Sequence, residues 1–299
     1  MDSGIIVINK PIGYTSHDCI AIMRGVTGIR KMGHTGTLDP NAAGVLPICF
    51  GKATKLIEYM DTAAKTYVAG IKFGIVTETQ DIWGDEDETE LPSDKRTAVP
   101  GSASEIEPYL DSFRGEIDQV PPAYSAVFVN GRRAYDIARS GGKPDLKARK
   151  ITVYRLELLD YDPETAEGHI EVTCSRGTYV RTICHDIGIS MGCGACLSSL
   201  VRAEACGFRI EEALDLEQAR KLSREEAMSY ARPVESALGN MQSLDLPEEL
   251  AKDYLNGMTL KIASEGYAQN EPTAIYCGGK LLGISSFMKD SLKPVKVFS

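Results

Sequence analysis

Eight consecutive residues, Gly33-His34-Thr35-Gly36-Thr37-Leu38-Asp39-Pro40, constrain this chain more than any other stretch. Glycine permits backbone angles and close approaches that a Cβ forbids. Threonine hydroxyls and an aspartate carboxylate fix turns through local hydrogen bonds. Pro40 locks its own φ and drives Asp39 out of the helical region. The run therefore reads as a rigid loop that presents one carboxylate, with an imidazole five positions before it. The apolar run Val45 to Phe50 follows as a strand that anchors the loop. An Asp-Pro corner by itself is usually only a turn, and His34 sets this one apart.

The chain has 299 residues, 43% hydrophobic and 25% charged, enough for a catalytic domain with a small appendage. Its formal net charge of −9 argues weakly against a nucleic-acid partner, but the local patch decides that question. The start, Met1-Asp2-Ser3-Gly4, lacks the basic-then-apolar pattern of a signal peptide. No apolar run approaches membrane-spanning length. A cytoplasmic protein with no membrane contact and with reduced cysteines is therefore expected. Cys193 and Cys196 form a tight pair, but zinc sites usually show two such pairs, so no metal is expected.

Along the chain, Ile5 to Ile8 reads as a buried strand ending in Asn9-Lys10-Pro11-Ile12-Gly13. Asn-Lys hints at a nucleotide-base motif, but no phosphate loop accompanies it. Ser16 reads as the N-cap of a helix to about Val26. Gly51 to Met60 has helical spacing. In the strand from Lys65 to Gly74, the residues Tyr67, Ala69, Ile71 and Phe73 share one face. Thr77-Glu78-Thr79-Gln80-Asp81-Ile82-Trp83-Gly84 reads as a turn-rich loop, followed by a solvated acidic run from Asp85 to Glu90. Ala103 to Phe113 is an amphipathic helix. Asn130-Gly131 marks a hairpin.

Beyond it, Arg132, Arg133, Arg139, Lys143, Lys147, Arg149 and Lys150 make a basic stretch in an acidic chain. Such a run is a solvated surface or an arm that docks on phosphates. Ile151 to Leu159 and His169 to Cys174 read as paired strands. Ser175 to Ile183 is a second constellation. It places Arg181 in the first turn of a helix to about Ser190. A cation there opposes the helix dipole unless a carboxylate compensates, and Asp39 is the candidate. Leu197 to Val201 reads as a strand. Helices are expected over Leu214 to Lys221 and Glu225 to Tyr230. A composition shift near Gly239 to Leu244 precedes a short helix and strands over Ala274 to Cys277, Leu281 to Ser286 and Val295 to Phe298, with Gly278-Gly279 as a turn.

These motifs, in this order, resemble the TruB-type bacterial tRNA pseudouridine-55 synthases. The resemblance rests on Gly33 to Pro40 with Ala43-Gly44-Val45-Leu46, Lys10-Pro11-x-Gly13, Lys65-x-Tyr67, Thr77-x-Thr79-x-Asp81-x-x-Gly84, Pro121-Pro122-x-Tyr124-Ser125-Ala126, Gly177-Thr178-Tyr179-x-Arg181 and Leu200-x-Arg202. It spans residues 4 to 240. It implies an α+β catalytic domain over 1–240, built on a mixed, mainly antiparallel sheet with flanking helices and an RNA-binding insertion near 120–150. A weaker likeness, in position and pattern only, implies a small PUA-like β-barrel over 244–299.

The resemblance further implies isomerisation of uridine 55 in the T loop of tRNA, with Asp39, Tyr67 and Arg181 as catalytic residues. Substrate contacts would come from His34, Lys10, Leu200, Tyr179, Lys147, Arg149 and Lys150. The residues alone suggest cofactor-free chemistry by a single carboxylate, as nucleophile or base. Isomerisation breaks a C–N and makes a C–C glycosidic bond in one nucleotide. It requires the uracil to leave the stack, with His34 filling the vacated place and Tyr67 stacking on the base. Whether Asp39 attacks C1′, attacks the uracil or deprotonates C2′ stays open. An N-glycosidase and an RNA-binding or guide-dependent core subunit are the rival readings. The chain lacks a long basic extension for guide-complex assembly, so a monomer acting without guide RNA is expected.

Overall fold

The computed structural model describes residues 3–60, 64–239 and 241–298. Met1, Asp2, the proposed boundary residue Asn240 and the terminal Ser299 lie outside them. The first elements are strand β1 (Gly4–Lys10), helix α1 (Ser16–Thr27), strands β2 (Met32–His34) and β3 (Ala42–Phe50), the one-turn helix α2 (Ile57–Met60) and strand β4 (Lys65–Phe73). Helix α3 (Ala103–Leu110) and strand β5 (Gly115–Gln119) lead into the hairpin β6 (Phe128–Val129) and β7 (Arg132–Arg133) and helix α4 (Ala134–Arg139). Long strands β8 (Arg149–Asp162) and β9 (Glu167–Cys174), helix α5 (Val180–Met191) and strands β10 (Ala195–Ala205) and β11 (Phe208–Arg209) follow. Strand β12 (Leu214–Asp215) and helices α6 (Leu216–Ala219) and α7 (Arg224–Ser229) close this part. The C-terminal part holds β13 (Gln242–Asp245), α8 (Glu248–Leu255), β14 (Leu260–Lys261), β15 (Pro272–Cys277), β16 (Lys280–Phe287) and β17 (Ser291–Val297).

Among the described residues, ten strands join one sheet in the order β12-β1-β3-β10-β4-β9-β8-β5, with β2 on β3 and β11 on β10. Only β1 with β12 and β3 with β10 run parallel, so the sheet is mixed and mainly antiparallel. The apolar run in β1 is buried on both faces. Ile6 and Ile8 pack with Cys19, Ile20 and Met23 of α1, whereas Ile5 and Val7 face the opposite side. On β4, Ala69, Ile71 and Phe73 pack under α3 and α5, with Tyr67 at the edge of the same cluster. The pleat puts alternate residues on one face, and α5 covers that face.

Several local expectations change. Thr15, not Ser16, caps α1: its hydroxyl accepts from the Asp18 N–H, and the Asp18 carboxylate accepts from the Thr15 N–H. That is a reciprocal capping box. Residues 51–56 form a 3-10 stretch before α2, and the helix α3 stops at Leu110 with a 3-10 turn to Phe113. Leu214-Asp215 adds a parallel edge to β1 before α6 begins. The last strand is Ser291–Val297 rather than residues 295–298.

The C-terminal strands form a separate curled sheet in the order β13-β15-β16-β17-β14. Its alternation serves two cores. Ile275 and Leu282 pack inward with Tyr254 of α8, while Ala274, Leu281 and Ile284 pack outward with Ile5, Val7 and Val45 of the large sheet. The Ser285 hydroxyl donates to the Tyr254 hydroxyl at 2.9 Å, satisfying a buried phenol. No helix among the described residues is long and apolar enough to cross a membrane.

Candidate active site

The loop between β2 and β3 is held from below by backbone contacts. β2 pairs β3 with His34 opposite Ile48, and the Thr35 N–H donates to the Pro47 carbonyl at 3.1 Å. The Ala42 N–H donates to the Asp39 carbonyl at 3.0 Å, closing the turn. Gly36 has φ 124° and Gly44 has φ 110°. A Cβ on Gly44 would stand 2.3 Å from the Arg202 carbonyl oxygen, so β3 and β10 approach each other through that glycine.

Three buried polar side chains brace the loop. Ser16 Oγ accepts from the Leu38 N–H at 2.9 Å and donates to the Leu38 carbonyl at 3.1 Å. Lys10 Nζ donates to the carbonyls of Tyr14, Pro11 and Pro40, at 2.6, 3.0 and 3.3 Å. Arg202 donates to the carbonyls of Val45 at 2.8 Å and Gly36 at 3.2 Å. Lys10 was expected to face a substrate. It is instead fully buried, and desolvation first of all lowers its ammonium pKa. Its three carbonyl partners replace the water it gives up.

What the loop leaves open is the carboxylate. The Asp39 side chain is 60% exposed, and its Oδ2 stands 3.9 Å from Nη2 of Arg181, which is 11% exposed. Arg181 lies closer to two groups that the sequence reading did not single out. Nη1 faces Asp81 Oδ2 at 3.4 Å, and Nη2 donates to the Tyr124 carbonyl at 2.7 Å. The turn around Asp81 fixes its other oxygen. Oδ1 accepts from Thr79 Oγ1 at 2.8 Å and from the Trp83 N–H at 3.3 Å. One guanidinium is therefore flanked by two carboxylates, one buried and oriented, one open. This arrangement offsets the cost of a cation in the first turn of α5.

The remaining candidates are placed as follows. The Tyr179 ring lies between Arg149, 4.9 Å from the ring centroid, and Arg181, at 5.7 Å. Arg149 also donates to the Gly177 carbonyl. Leu200 stands beside Ala42 of β3 and Ala69 of β4, and Tyr67 lies opposite Arg202 on β10. Tyr67 and Leu200 both border the cluster that contains Val180 of α5. His34 accepts from the Gly36 N–H through Nδ1 at 3.3 Å and meets the His17 ring edge-on, centroids 5.5 Å apart. Lys147 and Lys150 stand away from this group. Both are exposed, and Lys150 pairs with Glu116 at 2.6 Å.

Asp81 could have been found from its setting, since a carboxylate after two threonines in a Gly-closed turn is locally oriented. Gln119 gave no sequence signal of its own. No group of three or more His, Cys, Asp or Glu gathers at metal-holding distance among the described residues.

Behind Arg181, α5 carries Asp186, whose carboxyl burial pushes up to about 6. Glu90 adds to that push and His185 opposes it; the imidazole Nε2 lies 3.2 Å from Glu90. The folded-state value exceeds the ordinary 3.8, so the unfolded chain releases this proton first. The carboxyl's contribution is full below about pH 4 and is lost as pH rises through about 6. Asp186→Asn should therefore raise stability at pH 7.5 by about 1–2 kcal/mol, allowing for partial solvent screening, and leave it unchanged at pH 4. Thermal unfolding at the two pH values checks this, and an equal shift at both would rule out the buried charge as the cost.

The comparisons with known proteins agree with this geometry. A family model described as TruB family pseudouridylate synthase (N terminal domain) matches residues 24–180, more than half of the chain. A tRNA pseudouridine synthase B of Geobacillus kaustophilus is 41% identical over 264 residues, covering 87% of this chain and 91% of the relative. One from Streptococcus gordonii is 38% identical over 299 residues, covering 99% of each. A crystal structure of a Cbf5-Nop10-Gar1 complex contains a chain of the same fold. Its TM-score is 0.76 at 24% identity, covering 99% of this chain and 85% of that one. The exposed aspartate on its braced loop, the arginine that faces it and the match over both halves of the chain have one reading: this protein is an isomerase of the TruB family of pseudouridylate synthases.

Proposed function

We propose that this chain converts uridine 55 in the T loop of tRNA to pseudouridine, without a guide RNA, and that Asp39 carries the chemistry. The observation that carries this reading is the open Asp39 carboxylate held opposite Arg181, in a chain whose relatives are named tRNA pseudouridine synthase B. Asp39 acts on the flipped nucleotide as nucleophile or base. Arg181, fixed by Asp81 and Tyr124, keeps a positive charge beside it. The N1–C1′ bond breaks, the uracil turns, and C5–C1′ forms. The C5 proton leaves to solvent and N1 gains one, so nothing else is consumed. Tyr67 and Leu200 border the base, and His34 fills the space it vacates. Lys10 serves by holding the loop rather than by touching RNA.

Purified protein with unmodified tRNA, tritiated at uracil C5 and with no guide RNA present, tests the reading. Tritium release with no free uracil is expected. Free uracil would make the protein an N-glycosidase, and activity only with added guide RNA would remove the stand-alone assignment.

We infer further that the basic stretch docks on the phosphate backbone. Lys147 and Lys150 lie outside the catalytic group, whereas Arg149 also stacks on Tyr179. Neutralising Lys147 and Lys150 together should weaken tRNA binding and flatten its salt dependence by up to about 0.9 log unit per lost contact, with kcat unchanged. Neutralising Arg149 should lower kcat as well. A salt titration of binding decides; an unchanged slope would leave the two lysines as solvated surface, Lys150 being held by Glu116 alone.

A further inference from the structure

Gln119 ends β5 opposite Arg149 of β8, and its side chain is 2% exposed. Both ends of its amide are committed to one residue. Nε2 donates to the Tyr179 carbonyl at 3.0 Å, and Oε1 accepts from the Tyr179 N–H at 2.8 Å. Tyr179 is the N-cap of α5 and makes no side-chain capping bond of its own. Its carbonyl also accepts from the Thr182 and Ile183 N–H groups, at 3.1 and 3.2 Å, which start the helix. The backbone that Gln119 grips therefore sets two things at once: the Tyr179 ring between two guanidiniums, and the direction from which Arg181 leaves the helix two residues later. Just beyond Gln119, Val120-Pro121-Pro122 carries the chain to Tyr124, whose carbonyl holds the Arg181 guanidinium. One buried amide thus fixes both the helix end and the start of the segment that clamp Arg181.

We propose that Gln119 is a positioning residue for the isomerisation. It holds Tyr179 and, through it, Arg181 in the geometry that the reaction requires. This rests on the reading that Tyr179 and Arg181 face the substrate. The chemistry demands an amide: only a planar group that both donates and accepts can pair with the N–H and the carbonyl of one residue. A hydrophobic side chain of similar length fills the space but grips neither.

The test uses the full chain with unmodified tRNA transcript and compares Gln119→Met and Gln119→Glu with the parent. Gln119→Met should fold, with a circular dichroism spectrum like the parent's. It should lose kcat by about tenfold to a hundredfold at every pH, with KM changed less than threefold, since misplacing a group by an ångström costs on that order. Gln119→Glu supplies the readout that a merely structural role would not move. A neutral carboxyl mimics the amide, its O–H donating to the Tyr179 carbonyl; an ionised one meets that carbonyl with no proton. The ratio of Gln119→Glu to parental kcat should therefore rise toward one as pH falls from 8.5 to 5.5. Arg149, Lys150, Arg181, Tyr179 and Asp118 surround the position; they set where the rise falls, not its direction.

Parental kcat in both variants, corrected for the fraction folded, would overturn the proposal, as would a low ratio flat across pH. A parent that makes no pseudouridine would instead sink the functional reading. Gln119 would then be judged by hydrogen exchange of the 176–182 backbone, faster in Gln119→Met if the grip is real and unchanged if it is not.

Discussion

Asp39→Asn is expected to give a folded protein that binds tRNA and forms no pseudouridine. The loop does not depend on the carboxylate for its shape. It is closed by the Ala42 N–H on the Asp39 carbonyl, and braced by Ser16 on Leu38 and by Lys10 on Pro40. The Asp39 side chain stands largely in the open, and its ion pair with Arg181 is long. An amide of the same size should cost little stability. Arg181 would keep Asp81 and the Tyr124 carbonyl as partners, so the cleft should stay ordered. Turnover is different. An amide is neither nucleophile nor base at neutral pH, and the other carboxylate here, Asp81, is committed to Thr79, Trp83 and Arg181. A fall of about four orders of magnitude or more is expected. Tritium release measures it, with filter binding and circular dichroism as controls. Turnover within about tenfold of the parent would place the chemistry on another residue.

The sequence makes Asp39 readable because glycine and proline dictate a loop whatever packs around it. Arg181 is readable for a related reason: a cation in the first turn of a helix demands a carboxylate, and the loop offers one. The nearer partner, Asp81, is hidden, because a Thr-x-Thr-x-Asp turn is self-sufficient in hydrogen bonds and advertises no long-range role. Ser16 misleads for the opposite reason. Serine before a helix is a good cap, but Thr15 with Asp18 completes the capping box, and the Ser16 hydroxyl turns to Leu38 instead. Lys10 shows the same limit. A lysine in a Pro-Gly turn looks available to a phosphate until the tertiary fold buries it. Periodicity located the strands of both sheets but not the short parallel edge at Leu214, since two residues carry no period. Gln119 lay beyond reach altogether: its partners are sixty residues away and are backbone atoms, which leave no trace in side-chain pattern.

The largest structural effect should come from ending the chain after Met241, ahead of the C-terminal sheet. A composition shift near Gly239 to Leu244 suggests a clean boundary and a catalytic part that stands alone. The packing argues that the cut is costly. Ala274, Leu281 and Ile284 sit in one cluster with Ile5, Val7, Val45, Ala53, Leu56 and Phe208, so the C-terminal sheet covers one face of β1 and β3. Lys55 also donates to the Val297 carbonyl at 3.3 Å, and Lys296 pairs with Glu58 at 3.0 Å, although such exposed contacts add little. Each large apolar side chain returned to water costs about 1.5–3 kcal/mol. Uncovering three or four of them removes on the order of 5 kcal/mol, a large share of the 5–15 typical of a whole domain. The shortened chain should therefore melt at least about 10 °C lower, and should bind a dye for exposed apolar surface that the full chain ignores. Ile284→Ala in the full chain isolates the interface from the lost RNA-binding surface. It should cost about 2–5 kcal/mol while tRNA affinity at 20 °C stays at the parental value. A shortened chain that melts with the parent would mean that β1 and β3 need no cover on that face. The catalytic part would then be an independent domain, as the composition alone suggests. A lowered melting temperature with residual activity on a T-arm stem-loop would assign the C-terminal sheet two roles, shielding the strand that carries Asp39 and adding surface for the rest of the tRNA.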